Sequence, residues 1–322
     1  NNSSFSSVDI ISPEAARVSP GDSDKLTAVN SAVSYIKHMF QDSATKSAVD
    51  VVATHTYYDS EHNANWSALT SEADGKPVWV TESANLKSLD FSMSDASDYI
   101  QWMTRGFNEG GMTAYLVHLL FDYHIYATPE VGDKEGSSGL VVWDDTENVI
   151  TPKRYYAFKH FSTLSGKGFI RVSHNYLESD LHITTFLHPQ ENQLVTHVFN
   201  SGDQSIPMTL EIPYNTFEIL RYKTDNNLDF NNSEVDVIDN HRFIETDFTP
   251  NSISSFVFNL SSTLRKTSQE IKPIRIFPNP TSGLIFISGN DTQVHCSVFS
   301  MTGKKLFEQK ISNENNLDLS SL

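Results

Sequence analysis

Residues 77–83 read Pro77-Val78-Trp79-Val80-Thr81-Glu82-Ser83. A short apolar run without alternation is the pattern of a strand buried on both faces, as in a parallel sheet. This run stops at a carboxylate. In α/β folds, reactive side chains gather at the carboxyl ends of such strands. Glu82 is therefore the first candidate for chemistry, and Trp79 with its apolar neighbours would limit water around it. The plainer possibility is a loop carboxylate that caps a helix or faces solvent.

Similar runs lie on either side. Val49–Thr54 (VDVVAT) reads as a second buried strand, and Val8–Ser12 and Met112–Leu120 (MTAYLVHLL) as two more. Helical patterns separate them. Residues 27–40 place Val29, Ala32, Val33, Ile36, Met39 and Phe40 on one face, with Asp22 or Ser23 able to cap the start. Residues 94–108 turn Ala96, Tyr99, Ile100, Met103 and Phe107 inward and stop at Gly110-Gly111. Thr151-Pro152 predicts a helix through Thr163, with Thr151 as N-cap and Pro152 in the first turn. The strand starts are about 30–40 residues apart, the period of βα units with parallel strands. Four units do not close a (β/α)8 barrel, which needs about 250 residues. Residues 1–160 thus read either as an open α/β domain or as the second half of a barrel.

The pattern changes after residue 166. Residues 181–187, 194–200, 206–212, 217–223 and 253–260 are β-type runs, and Ile206, Met208, Leu210 and Ile212 alternate strictly. This predicts an antiparallel β-sandwich. Residues 261–272 (SSTLRKTSQEIK) are a polar linker. Residues 273–322 form another short β set, opened by Phe277-Pro278-Asn279-Pro280-Thr281-Ser282-Gly283.

Composition narrows the function. The 322 residues carry 23 basic and 40 acidic side chains, a net charge of −17. Such a surface repels phosphate backbones, which argues against nucleic acid. The last 52 residues differ, with 5 basic and 4 acidic side chains. No apolar run reaches the ~18 residues a membrane helix needs. One cysteine, Cys296, excludes a disulfide framework and a cysteine-based zinc site. The chain begins Asn1-Asn2-Ser3-Ser4 without Met and stops within a strand-rich segment, so we read both ends as cuts.

Two further groups could join Glu82. Thr54-His55-Thr56-Tyr57 ends a buried strand, and His55 and Tyr57 share parity, so they leave it on the same side. A tyrosine hydroxyl can orient a carboxylate, and a histidine can hold a sugar hydroxyl. Tyr115 and His118 lie on the fourth strand, followed by Phe121, Tyr123, His124 and Tyr126, an aromatic set suited to the flat faces of sugars. A buried core histidine and a hydrophobic strand end are the plainer readings. A metal site of His55, His118 and His124 has no supporting spacing. No phosphate loop, G-x-G-x-x-G, H-E-x-x-H or G-x-S-x-G motif occurs.

In chain order these pieces resemble glycoside hydrolase family 30. The matching parts are His-x-Tyr at 55–57, Lys-Pro-Val-Trp-Val-Thr-Glu-Ser at 76–83, Ala114-Tyr115-Leu116, and the helix Thr151-Pro152-Lys153-Arg154-Tyr155-Tyr156-Ala157-Phe158. They span roughly residues 8–260. The resemblance implies an α/β fold: strands five to eight of a (β/α)8 TIM barrel, an antiparallel β-sandwich and a small C-terminal β domain. The divisions fall at 1–164, 165–260, a linker at 261–272, and 273–322. It implies a retaining hydrolase of β-linked polysaccharides or oligosaccharides that needs no cofactor or metal. Glu82 matches the nucleophile, and His55, Tyr57, Trp79, Tyr115 and His118 would contact substrate. His118 stands where the family usually carries Trp. The family's acid/base glutamate, in an Asn-Glu-Pro motif after the fourth strand, has no counterpart, and Ser12-Pro13-Glu14 does not match it. The acid/base is expected upstream of Asn1, and little turnover is expected of this chain. A carbohydrate-binding surface protein on the same scaffold is the alternative. A complete α/β-plus-sandwich protein of other activity is a third reading.

Residues 275–290, with Phe-Pro-Asn-Pro-Thr-Ser-Gly at 277–283, and the later Val-Phe-Ser-Met-Thr-Gly-Lys-Lys-Leu-Phe-Glu resemble the type A sorting domain of type IX secretion. Its final strands are missing after Leu322. This implies a protein exported by, or displayed on, a Gram-negative bacterium, with the secretion machinery as a partner.

Overall fold

The computed structural model describes residues 8–20, 31–57, 64–85, 90–123, 138–143, 148–175, 179–235, 243–261, 275–277, 283–288, 294–299, 305–311 and 315–320. The chain divides into two compact units, Asn1–Leu264 and Arg265–Leu322.

The first unit opens with alternating elements: β1 (Ile11–Ala15), α1 (Ala32–Met39), α2 (Ser43–Ala48), β2 (Val51–Tyr57), α3 (Trp66–Ala73), β3 (Val78–Ala84), α4 (Met93–Asn108) and β4 (Ala114–Tyr115). The strands form one sheet in the order β1-β2-β3-β4, and every pair is parallel. Ile36 of α1, Leu69 of α3 and Tyr99, Ile100 and Met103 of α4 share one core with Val52, Val78 and Val80. Full burial of an aliphatic side chain such as Ile36 or Ile100 contributes about 1.5–3 kcal/mol.

The helices start where a side chain satisfies a free N–H. Ser31 Oγ accepts from Ser34 N–H at 3.2 Å, and Ser92 Oγ from Ser94 N–H at 3.1 Å. Asp22 and Ser23 lie outside the described residues. At the end of α4 the chain passes close to α3. A Cβ on Gly110 would sit 2.4 Å from the Trp66 ring, so only glycine fits.

Three expectations are corrected. The fourth strand is not nine residues long; its ladder holds Ala114 and Tyr115 alone. Beyond it, the amides of Leu116 and His118 donate to the Val80 and Ser83 carbonyls of β3, at 2.8 and 2.9 Å. The third strand does not end before Glu82 but runs to Ala84, because its pairing continues to Ala84 opposite Tyr57. Thr151 does not cap the following helix, α5 (Lys153–Leu164): Pro152 holds the N-cap position without a side-chain cap bond, and Thr151 Oγ1 bonds the Tyr156 hydroxyl at 3.0 Å.

Between β4 and α5 lies a small sheet of β5 (Phe121–Tyr123), β6 (Val141–Trp143) and β7 (Val149–Ile150). After α5 come β8 (Ile170–Val172), β9 (Leu181–His188), β10 (Gln193–Asn200), β11 (Ile206–Glu211), β12 (Thr216–Thr224), β13 (Asn231–Glu234), β14 (Phe243–Phe248) and β15 (Ser252–Leu260). Six form an antiparallel sheet in the order β13-β12-β15-β10-β9-β8, and β11 pairs antiparallel with β14. Val198, Phe256 and Phe258 of the large sheet pack with Ile244 and Phe248 of β14. On its other face, Phe186, Phe199 and Ile253 pack with Ala157 and Phe161 of α5. This double covering explains why β10 and β15 are buried almost throughout, whereas β11 alternates.

The second unit holds β16 (Arg275–Phe277), β17 (Leu284–Ser288), β18 (Val294–Phe299), β19 (Lys305–Ile311) and β20 (Asn315–Asp318). β16, β17 and β20 form one antiparallel sheet, and β18 and β19 another. Pro278 to Ser282 of the sequence signature lie outside the described residues. Gly283, which closes it, has φ +144°, a conformation that L side chains rarely adopt.

Candidate active site

The carboxyl ends of β1, β2 and β3 bring five charged or polar side chains together, Glu14, His55, Tyr57, Thr81 and Glu82. His55 and Tyr57 leave β2 on the same side, their rings 5.4 Å apart and edge to face. The Tyr57 hydroxyl donates to Glu82 Oε2. His55 Nδ1 lies 3.6 Å from that same oxygen, and His55 Nε2 lies 3.0 Å from Glu14 Oε2 on β1. The Thr81 hydroxyl also donates to Glu14 Oε2. The His55 side chain is 13% exposed, the Glu82 side chain 40%. The imidazole is thus a nearly buried bridge between two half-exposed carboxylates.

Strand irregularities make this cluster possible. Thr81 and Glu82 are consecutive and would point to opposite faces of a regular strand. The β2–β3 register skips Thr81, pairing Thr54 with Val80 and His55 with Glu82. This bulge lets both side chains reach the same cluster. Just past the end of β3, Asn85 ties the strand to helix α4. Its amide donates to Asp95 Oδ1 at 3.0 Å and Asp98 Oδ2 at 2.6 Å, and its N–H to the Tyr99 hydroxyl at 2.9 Å. Arg154 meets Asp95 Oδ2 at 3.1 Å and the Gly139 carbonyl at 2.8 Å. Burial pushes the Asp95 carboxyl up to about 6, against the opposing pull of Arg154. Burial likewise raises the Tyr99 phenol.

The other sequence candidates fall in different places. His118 is exposed, its ring 6.5 Å from Tyr57, and so borders the cluster. Trp79 shares the strand face of Thr81, and its Nε1 donates to Thr113 Oγ1 at 3.0 Å. Tyr115 lies on the opposite face. Its ring packs 6.4 Å from Phe158, and its hydroxyl bonds Ser83 and Thr56 behind the strands. Phe121 is 56% exposed, and His124 and Tyr126 lie outside the described residues. Glu14 was set aside on its sequence context, yet it joins the cluster. Asn85, Asp95 and the burial of Arg154 carry no sequence signal, because each depends on contacts distant in the chain. Among the described residues no group of three or more His, Cys, Asp or Glu is arranged to hold a metal ion, and no helix is long and apolar enough to cross a membrane.

Comparison with known proteins bears on this arrangement. Residues 4–115 match the glycosyl hydrolase catalytic core family model, and residues 275–322 match the secretion system C-terminal sorting domain. No curated protein matches the chain. Among solved structures, a family 30 endoxylanase from Clostridium papyrosolvens C71 is similar at 16% identity and TM-score 0.58, over 80% of this chain and 58% of that one. A family 30 subfamily 8 xylanase from Clostridium acetobutylicum is similar at 17% identity and TM-score 0.56, over 78% of this chain and 56% of that one. An endo-β-1,6-glucanase is similar at 15% identity and TM-score 0.52, over 71% and 44%. The chain therefore spans less than two thirds of the length of these structures. Residues 4–115 carry a glycosyl hydrolase catalytic core on a fold shared with family 30 glycosidases, and residues 275–322 carry a sorting domain that directs the protein through type IX secretion to the outside or surface of a Gram-negative cell.

Proposed function

We propose that this chain supplies the nucleophile half of a retaining hydrolase of β-linked glycans. In this reading β1 to β4 are strands five to eight of a (β/α)8 barrel. Their sequential order supports it, since a doubly wound sheet would reverse direction. The divisions follow at 1–164, 165–260, a linker at 261–272, and 273–322.

The observation that carries the reading is the pair of contacts on Glu82 Oε2, from Tyr57 and His55. The Tyr57 hydroxyl holds the carboxylate by that oxygen, with the His55 ring beside it, and Oε1 is left to attack an anomeric carbon. Attack forms a glycosyl ester and breaks the glycosidic bond, whose oxygen needs a proton from a second carboxyl about 5–5.5 Å away. Glu14 does not suit that role. Its Oε2 is engaged by His55 and Thr81, and the imidazole fills the space toward Glu82 where a sugar would have to lie. In this reading the acid/base is a carboxyl other than Glu14. In this reading Trp79 and His118 lie beside the cluster as sugar contacts, and Tyr115 supports it from behind the strands.

Dinitrophenyl β-glycosides test this directly, because their leaving group needs no proton. The 322-residue chain should release a single burst of dinitrophenolate as Glu82 becomes glycosylated, and Glu82→Gln should abolish the burst. Unactivated polysaccharide should not turn over. Steady hydrolysis of unactivated polysaccharide would overturn the missing acid. Glycan binding without a burst would favour the binding-protein reading.

A further inference from the structure

Glu14 occupies an unusual backbone position. Its φ is +61°, in the left-handed region that residues other than glycine seldom adopt. The β1–β2 register skips it, pairing Pro13 with Ala53 and Ala15 with Thr54. Glu14 is thus the extra residue of a bulge. The bulge in β3 at Thr81 lies at the same level of β2, beside Thr54 and His55. Two bulges therefore flank one point of the central strand, and their extra residues bond each other through the Thr81 hydroxyl and Glu14 Oε2. Bulges of this kind re-aim side chains, and residues held in sparse backbone regions persist where the surroundings fix them.

We propose that Glu14 is a positioning residue that fixes His55, and through His55 and Thr81 the seat of Glu82. An ionised carboxylate only accepts hydrogen bonds, so the 3.0 Å contact requires His55 Nε2 to carry a proton and donate it. The ring is then pinned with Nδ1 3.6 Å from Glu82 Oε2, beyond hydrogen-bond distance, so it acts on Glu82 by filling the space beside it. Thr81 donates to the same Glu14 oxygen and follows Val80 directly into Glu82. One carboxylate oxygen therefore anchors both neighbours of the reacting group: the imidazole in front of it and the residue that precedes it in the strand. Glu14 touches no reacting atom in this scheme. Its negative charge is matched to the imidazole proton, and its strained backbone sets the reach of the side chain.

The functional consequence rests on the assignment of Glu82 as nucleophile, but the link itself does not. Two readouts separate them. The first is the His55 Nε2 proton in ¹⁵N-histidine spectra of the whole chain. A hydrogen bond to a carboxylate shifts it downfield and protects it from exchange. The proton should be present in the wild type, retained in Glu14→Gln, whose amide carbonyl still accepts, and lost in Glu14→Ala. The second is covalent labelling by a 2-deoxy-2-fluoro-β-glycosyl fluoride: Glu82 attacks the anomeric carbon and fluoride leaves. Glu14→Ala should lower the maximal labelling rate at least about tenfold while half-saturation stays within about twofold, as expected when orientation and not binding is lost. Glu14→Gln should recover most of the rate. A proton unchanged in Glu14→Ala overturns the link. A lost proton with an unchanged labelling rate overturns the positioning role. If the wild type is not labelled, the Glu82 assignment fails, and the His55 proton still decides the link.

Discussion

Lowering the pH from 7 to 4 should cost the first unit about 3 kcal/mol through His197 alone. His197 on β10 and His160 on α5 are both buried, and both bond the Ser255 hydroxyl, at 2.7 and 2.6 Å. The proton positions follow from the ends of the network. Ser165 Oγ donates to the Phe161 carbonyl at 3.0 Å, so it accepts from His197 Nε2–H at 2.9 Å. His197 Nδ1 then accepts from Ser255, and Ser255 accepts from His160 Nδ1–H. His160 Nε2 accepts from Thr224 Oγ1 at 3.0 Å, and Thr224 in turn accepts the Phe230 N–H at 2.9 Å. Each of the four ring nitrogens has a matched partner only while both rings are neutral. Burial accordingly holds His197 down to about 3 and His160 well below the ordinary histidine value of 6.5. The unfolded chain takes up a proton below pH 6.5 that folded His197 refuses until about pH 3. Stability is thus complete above pH 6.5 and falls as the pH drops through that window. Asp95, raised to about 6, works in the opposite sense and His160 in the same sense, so the wild-type curve alone mixes the three. The comparison that isolates His197 is urea unfolding of wild type and His197→Gln at pH 7 and pH 4. The four tryptophans, at 66, 79, 102 and 143, all lie in the first unit and report on it alone. The variant should be less stable at pH 7, and the gap should narrow by about 3 kcal/mol at pH 4. Equal pH dependence in the two proteins would refute the neutral network.

Three other outcomes follow from the same contacts. Tyr57→Phe removes the donor to Glu82 Oε2 and should slow labelling by a fluoroglycosyl fluoride about tenfold with little change in thermal stability, read by mass spectrometry and melting. Arg154→Met leaves Asp95 buried without its cation and should cost about 3–5 kcal/mol in urea unfolding at pH 7, a loss that shrinks toward pH 4 as Asp95 becomes neutral. Gly110→Ala drives a methyl into the Trp66 ring and should cost about 1–3 kcal/mol.

The sequence made some of this legible and not the rest, for physical reasons. Glu82 stands out because an unbroken apolar run leads into a carboxylate, and the shared side of His55 and Tyr57 follows from strand parity. The four parallel strands followed from their spacing. Tyr115 was harder: the run MTAYLVHLL is apolar on both faces, so nothing in it says that Tyr115 turns toward Phe158 while His118 turns toward Tyr57. Helix α2 is six residues long and buries none of them, so it shows no apolar stripe. Glu14 was invisible because its role depends on a bulge and a positive φ. The buried pair of Asp95 and Arg154 joins residues 59 positions apart, beyond the reach of any local pattern.

The proposed function stands or falls with Glu82 as the nucleophile. Incubation of the chain with a 2-deoxy-2-fluoro-β-glycosyl fluoride, followed by proteolysis and mass spectrometry, tests it most directly. A nucleophilic Glu82 gives a single glycosyl adduct on the peptide that carries it, absent in Glu82→Gln. An adduct on Glu14, or on any residue other than Glu82, would contradict it.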